Sequence, residues 1–130
     1  MKKSVYLLAA LVLITILAAC AADAPQESSA KGSGNPAMVD GVVVETINEH
    51  HYAVVNGFYP DPCTRISDVD QVVDGKRFVI SLTTDRPDDM VCAQMLEEYE
   101  VSLLLETGGL PSGEYTVKVG ERETSFSLGQ

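Results

Sequence analysis

Positive charge is scarce in this sequence. Its 130 residues contain nine lysines and arginines against 19 aspartates and glutamates, a formal net charge of −10 at pH 7. A surface that binds nucleic acid needs clustered basic side chains to neutralise phosphates. No such cluster is present, so the charge balance excludes nucleic acid as a partner. It is compatible with a cationic partner or a saline habitat.

A hydrophobic run long enough to cross a membrane is also lacking. The apolar stretch at residues 5–19 has about 15 residues, fewer than the roughly 20 that a membrane-spanning helix needs. It follows Lys2 and Lys3 and ends in two small residues before Cys20, which is the arrangement of a secretory signal peptide. The alternative is an uncleaved anchor helix in which Cys20 is incidental.

The residues LAAC at 17–20 resemble the bacterial lipoprotein signal. The resemblance implies that Cys20 is lipidated with palmitate-type acyl chains after residues 1–19 are removed. Several acyl chains hold a protein permanently on a membrane, because each buried CH₂ contributes about 0.8 kcal/mol. We therefore expect a protein anchored by lipid in the bacterial cell envelope, on the outer membrane or cell surface, facing outside the cytoplasm.

Large apolar side chains are absent from the segment that follows the cysteine. Residues 21–37 contain no Val, Ile, Leu, Phe or Tyr and are rich in Ala, Ser, Gly and Pro, the composition of a flexible linker. We assign residues 20–37 to a lipidated tether and residues 38–130 to one small domain. This mature chain has seven basic and 19 acidic side chains, a net charge near −12.

The domain shows hydrophobic alternation with a period of two, which predicts strands with one buried face. Turn residues separate the runs. The predicted strands are residues 41–47, 51–59, 64–73, 77–83, 98–106, 115–119 and 124–128. Seven short strands in about 90 residues predict an all-β, immunoglobulin-like antiparallel sandwich.

Two local features leave their structure open. Residues 88–97 have an acidic start that suits a short helix, and a single turn or a loop are the alternatives. Tyr115 follows Leu110-Pro111-Ser112-Gly113, where a late sandwich strand begins. It is either a tyrosine corner, with its hydroxyl bonded to nearby backbone, or an ordinary core tyrosine.

Cysteines are few, and two remain once Cys20 is assigned to lipid. In an exported domain Cys63 and Cys92 are expected to form one disulfide. It would close a loop of about 30 residues and contribute roughly 3–4 kcal/mol. A reactive cysteine with His50 or His51 as its partner is the alternative, and nothing in the spacing supports it.

Catalytic motifs are absent. The sequence has no G-x-S-x-G, no H-E-x-x-H and no Gly-rich phosphate loop. Paired carboxylates are plentiful, yet a domain of this size seldom has room for the deep cleft of a glycosidase. We therefore predict no enzymatic activity, no catalytic residue and no cofactor.

Metal-ligand spacing is lacking as well. His50 and His51 are adjacent, so they would point to opposite faces of a strand. Two groups of aspartates offer oxygen ligands of the kind calcium takes: Asp68, Asp70 and Asp74, and Asp85, Asp88 and Asp89. Neither group matches the calcium-loop spacing. We predict no metal site and interpret the first group as a solvated acidic strand edge.

Three segments carry a resemblance to a known family: YPDPCTRI (59–66), TTDRPDDMVCAQ (83–94) and GLPSGEYTVKVGERETSFSL (109–128). They resemble an uncharacterised family of small exported bacterial Ig-like domains. The resemblance implies a sandwich in which Cys63 and Cys92 are paired. A weaker similarity is to chagasin-like cysteine-protease inhibitors, whose loops carry NP-x-x-G and RP-aromatic motifs. Here Arg86-Pro87 is followed by Asp88, and Asn35-Pro36 lies in the tether.

These observations predict a non-catalytic cell-envelope lipoprotein that acts as a binding or structural module, with an extracytoplasmic protein or glycan as partner. Loops on a rigid sandwich are where contacts are expected. The candidate contact residues are Tyr59, Asp61, Arg86, Asp88 and Asp89. Phe58 and Tyr59 are either exposed contact residues or part of the edge of the core. The alternative function is a chagasin-like protease inhibitor that acts through the same loops.

Overall fold

The computed structural model of the chain describes residues 34–129, and this part folds as two packed β-sheets, one mixed and one antiparallel, without a helix. The predicted signal peptide, Cys20 and most of the predicted tether lie outside the described residues. The strands are β1 (Asn35–Pro36), β2 (Met38–Ile47), β3 (His50–Tyr59), β4 (Arg65–Asp74), β5 (Arg77–Asp85), β6 (Glu97–Leu104), β7 (Gly113–Val119) and β8 (Arg122–Leu128). Within residues 34–129, no helix is long and apolar enough to cross a membrane.

The predicted all-β sandwich is confirmed, with one strand more than the seven expected. Each of the seven predicted strands overlaps one of the strands β2 to β8. The additional strand β1 has two residues and lies within the segment assigned by composition to the tether. Asn35 pairs with Thr84 and Pro36 with Thr83 on β5. Proline is compatible with this position because β1 is very short.

Strand β5 is the centre of the larger sheet. It pairs along its length with β4 on one edge, while β7 and β1 occupy successive stretches of the other. The β5–β7 pairing is parallel, and β8 continues the sheet beyond β7. The smaller sheet has the order β2-β3-β6. Strands β4 and β6 are thus edge strands.

The core lies between the two sheets and is formed by the alternating apolar residues of the strands. Phe78, Ile80 and Leu82 on β5 are buried, as the period-two pattern predicts. Phe78, Tyr115 and Phe126 form an aromatic cluster with ring centroids 5.9–6.0 Å apart. Such tilted aromatic pairs add about 0.5–1.5 kcal/mol each beyond the burial of their surface.

Tyr115 forms the tyrosine corner. Its ring is buried, and its hydroxyl donates a hydrogen bond of 2.7 Å to the Pro111 carbonyl four residues earlier. This contact fixes the segment that leads into β7. Residues 86–96, the second open feature, form a loop with a turn at Asp88–Asp89 and no helix.

The two ends of the sandwich differ in character. One end carries tight turns: Asn48 and Glu49 adopt φ values of 50° and 68° between β2 and β3, and Gly75 adopts 59° between β4 and β5. At the other end β3 stops at Tyr59, β5 stops at Asp85 and β6 begins at Glu97. We call this second end the disulfide end, because Cys63 and Cys92 lie there.

Candidate functional site

The disulfide end is built around the bond between Cys63 and Cys92. Their Cα atoms lie 6.0 Å apart, within the normal range for a disulfide. The bond joins the turn after β3 to residues 86–96, which we call the stapled loop. The predicted pairing is therefore present, and neither cysteine offers a free thiol in this form.

Asp61 organises the turn that carries Cys63. Its Oδ1 accepts hydrogen bonds from the backbone N–H of Cys63 at 2.9 Å and of Thr64 at 3.0 Å. Its Oδ2 accepts a bond from the Thr64 hydroxyl at 3.1 Å and lies 3.3 Å from Nε of Arg86. An aspartate that bonds backbone N–H groups two and three residues ahead is the usual device for closing such a turn.

The protonation of Asp61 reflects these contacts. Burial by itself raises the pKa of the carboxyl group. The hydrogen bonds from Cys63 and Thr64 and the positive charge of Arg86 oppose burial and outweigh it, so the pKa lies below its usual value. The residue is 8 % exposed. The carboxylate is thus held charged inside the turn.

The stapled loop presents apolar side chains to solvent. Met90, Val91, Met95 and Leu96 are all between half and fully exposed. Exposed apolar side chains are unremarkable when scattered singly, but several on one short loop form a candidate interaction surface. The disulfide at Cys92 lies between the two pairs. It fixes the middle of the loop and limits how far the apolar residues can fold back onto the core.

Arg86 separates two shallow hollows at this end of the sandwich. The first is lined by the apolar Pro36, Met38, Phe58 and Pro60 and by the polar Asn35, Thr64, Thr84 and Asp85. The second is lined by Cys92, Gln94, Met95 and Leu96, together with Pro60. Both include Asp61 and Arg86. The ion pair therefore stands between a depression on the sheet end and the stapled loop.

The five predicted contact residues divide into two groups. Arg86, Asp88 and Asp89 are exposed on the stapled loop. Tyr59 and Asp61 are buried, which removes them from the accessible surface. Partner contact through this loop stays a prediction, and the hydrogen-bonding capacity of Asp61 is used within the turn.

Tyr59 belongs to the edge of the core. Its ring stacks on Tyr99 with centroids 4.7 Å apart, and the Arg65 guanidinium lies 5.2 Å from the Tyr59 centroid. The Tyr99 hydroxyl donates to the Met38 carbonyl at 3.1 Å. Burial, with the neighbouring Tyr59, raises the pKa of Tyr99 above its ordinary value. Of the two alternatives for Tyr59, packing on the core edge is the one observed.

The histidines lie far from the cysteines. His51 bonds through Nδ1 to the Thr46 hydroxyl at 2.9 Å, near the start of β3. The eight residue-to-residue steps from His51 to Tyr59 span about 26 Å in an extended strand. The structure therefore does not bring a histidine to Cys63 or Cys92, and the reactive-cysteine alternative has no geometry to support it.

One group of metal-ligating residues occurs within residues 34–129, formed by Asp61, Cys63 and Cys92. Both sulfur atoms are in the disulfide, and a metal needs thiolate sulfur as its ligand. Asp61 is also engaged with its own turn. The donor set therefore does not fit a metal ion while the disulfide is formed.

Residues 90–96 are the part of this site that sequence reasoning missed. The run MVCAQML fits neither the period of a strand nor a complete helical face. An apolar run without a regular period, around a cysteine that is expected to form a disulfide, was the available signal for an exposed apolar loop. Thr64 hydrogen-bonds to both the backbone and the side chain of Asp61. Nothing in the sequence indicated this role except its position directly after Cys63.

Comparison with known proteins gives a family match over most of the domain. The ORF11 beta-sandwich domain family matches residues 53–128. An uncharacterized 10.2 kDa protein in the HgiCIIM 5′ region of Herpetosiphon aurantiacus is 36% identical over 74 residues, which are 57% of this chain and 78% of that protein. A second, in the HgiBIM 5′ region of the same organism, is 34% identical over 74 residues, 57% of this chain and 89% of that protein. No solved structure matches the chain significantly.

Proposed function

The chain belongs to the ORF11 beta-sandwich domain family, and from this premise we propose that it is a non-catalytic binding module of the bacterial cell envelope, tethered to a membrane by lipid on Cys20. The recognition surface in this proposal is the stapled loop. The relatives are uncharacterized proteins, so the proposal rests on the chain's own residues.

The observation that carries the proposal is the exposure of Met90, Val91, Met95 and Leu96 on a loop fixed by a disulfide. Exposing four apolar side chains on one loop has a cost in water that a partner surface removes. The disulfide and the Asp61 turn restrict the loop before binding. A restricted loop loses less conformational entropy when it binds, which favours affinity.

The chemistry of the loop favours a protein as the partner. The stapled loop has no aromatic side chain on which a sugar ring could stack. Methionine side chains are flexible and polarizable, and they adapt to irregular apolar surfaces on protein partners. Asp88 and Asp89 precede the apolar residues, so a complementary surface combines an apolar hollow with basic residues at its margin.

The remaining groups at the disulfide end support a role without catalysis. The Asp61 carboxylate is engaged by two backbone N–H groups, a hydroxyl and Arg86. The two cysteines are bonded to each other. A general acid, base or nucleophile needs a group that is free to exchange a proton or attack a substrate. These residues serve instead to hold the loop.

Site-specific photo-crosslinking in the living bacterium tests the proposal. A photoreactive amino acid is placed at Val91 in the full chain. The control carries the same residue at Val43, a valine on β2 that is 54% exposed, whereas Val91 is fully exposed. We expect light-dependent adducts with a particular envelope protein from position 91 and none from position 43.

Two results would contradict the proposal. Equal adducts from both positions would mean that the loop is no more than accessible surface. Absence of adducts at position 91, in cells where the chain is at its normal level, would mean that the loop has no protein partner. Fractionation of the same cells shows whether the chain is in the membrane fraction, as the lipid tether requires.

A further inference from the structure

One side of the sandwich is closed and the other is open. On the closed side β2 packs against β8. On the open side the edge strands β4 and β6 are joined near the disulfide end by the Arg65–Glu97 ion pair, at 3.3 Å. Further along, a groove lies between them. Its lining combines four apolar residues with four polar or acidic ones: Val69, Ile80, Leu103 and Leu104, and Asp70, Gln71, Ser102 and Glu106.

The hydrogen-bonding groups of β4 can be assigned to its two edges from the neighbours of β5. The Leu82 carbonyl accepts a bond from Ala37 N–H, so the polar backbone groups of Leu82 point away from β4. Val69 is opposite Leu82, so this is a non-hydrogen-bonded pair and the N–H and C=O of Val69 point to the free edge. Along β4, residues whose N–H and C=O groups point to the free edge therefore alternate with residues whose groups point to β5.

Val69, Gln71 and Val73 therefore direct three N–H and three C=O groups outward. Within residues 34–129 no strand pairs with this edge. An edge of this kind is a template for an additional strand.

Side chains on the two faces of β4 have different chemistry. Val69 and Val73 face the inside of the sandwich, opposite the buried Leu82 and Phe78, yet they are 44% and 37% exposed because the edge is open. Asp68 and Asp70 face outward. No cation in the described part of the chain lies within ion-pair distance of either aspartate.

We propose that the free edge of β4 accepts an extended segment of a partner protein in which apolar and basic side chains alternate. Its backbone pairs with Val69, Gln71 and Val73. Its apolar side chains enter the groove over Leu103, and its basic side chains lie beside Asp68 and Asp70. This surface is separate from the stapled loop, and the inference does not rest on the proposed function.

Charge complementarity selects this occupant over a second copy of the chain. Pairing of two β4 strands would bring the outward aspartates of both copies onto one face, on domains that are each strongly acidic. The chain's own residues 21–33 are equally unsuited, because they contain no β-branched or aromatic side chain and more acidic than basic residues. The acidic side chains that disfavour pairing with either of these segments are complementary in charge to a basic strand.

A direct test measures binding of a fluorophore-labelled peptide of eight alternating valines and lysines to the full-length chain in a non-ionic detergent. Anisotropy is the readout, with detergent alone as the blank. Two control peptides separate the contribution of charge from that of alternation. One has glutamate in place of each lysine, and the other has the same valines and lysines in two blocks. We expect the alternating basic peptide to bind more tightly than either control, and less tightly as salt is raised.

Two pairs of variants locate the site. Gln71→Pro removes an outward N–H and leaves the bonds to β5 intact, whereas Gln71→Ala removes the side chain alone. We expect binding to weaken more than tenfold for the first and far less for the second, which keeps the outward N–H. Asp68→Asn with Asp70→Asn is expected to weaken binding about fivefold. The matched control, Glu45→Gln with Glu123→Gln, removes the same charge from the closed side and leaves affinity unchanged.

The outcomes are distinguishable. Equal binding of all three peptides, or equal affinity of the two charge variants, would overturn the assigned site. Absence of binding by the alternating basic peptide would do the same, and so would a dimer in sedimentation that Gln71→Pro dissociates, since a second copy would then be the occupant. If Gln71→Pro does not fold, as judged by circular dichroism, the charge variants decide the question.

Discussion

Removal of the disulfide is the perturbation whose magnitude follows most directly from the structure. Cys63 and Cys92 are 29 residues apart, and a cross-link that closes a loop of this size stabilises by about 3–4 kcal/mol in the chain-entropy model. A domain of this size has a total stability of roughly 5–14 kcal/mol. The bond therefore supplies a quarter or more of the free energy of unfolding.

The double substitution Cys63→Ser with Cys92→Ser is expected to lower Tm by about 12–32 °C, since 1 kcal/mol corresponds to roughly 4–8 °C in a domain of this size. Thermal and urea unfolding followed by circular dichroism measure the change. Reduction of the unsubstituted protein should lower Tm by the same amount, which separates loss of the bond from loss of cysteine packing. A decrease of only a few degrees in both cases would refute the reasoning, because it would mean that the unfolded chain is already restricted.

Further predictions concern single side chains. The lowered pKa of Asp61 contributes stability above about pH 4 that is lost as the pH falls through the folded-state pKa, so the stability difference between the unsubstituted protein and Asp61→Asn should shrink on acidification; a difference independent of pH would contradict this. Tyr115→Phe leaves the Pro111 carbonyl without its 2.7 Å bond and should cost about 1–2 kcal/mol in urea unfolding, with Tyr52→Phe as the matched control. Val91→Ser should change stability by less than about 0.5 kcal/mol and yet weaken partner capture, which a stability loss alone would not explain. Cysteine proteases should keep their activity with the protein added; inhibition would favour the chagasin-like alternative.

The alternation of apolar residues predicted the fold because strand burial is a local property. Phe78, Ile80 and Leu82 face the core as their spacing requires, and the pattern at β7 and β8 is equally regular. The pairing of strands is not local. That β5 pairs in parallel with β7, and that Pro36 adds a short strand beside Thr83, depend on contacts between residues far apart in the chain.

The candidate site was predicted only in part, because some of its features are local in the sequence and others depend on contacts between distant residues. The count of cysteines and the expected compartment predicted the Cys63–Cys92 bond, and the proline-rich turn at 60–62 indicated a loop. Asp61 was predicted to contact a partner at the surface, but its carboxylate accepts hydrogen bonds from the backbone of its own turn. The sequence did not separate these two roles, because an aspartate in a turn suits both. The apolar residues of the stapled loop carry no regular period. They are exposed on a loop that the disulfide joins to the turn after β3.

The proposed function depends on a lipid tether at Cys20 and on a loop fixed by the Cys63–Cys92 disulfide. Intact mass of the protein purified from its own membranes, before and after reduction, tests both in one measurement when free thiols are alkylated. We expect a chain that lacks residues 1–19, carries acyl chains and gains two alkylated thiols only after reduction. A chain without lipid, or two thiols that react before reduction, would contradict the proposal.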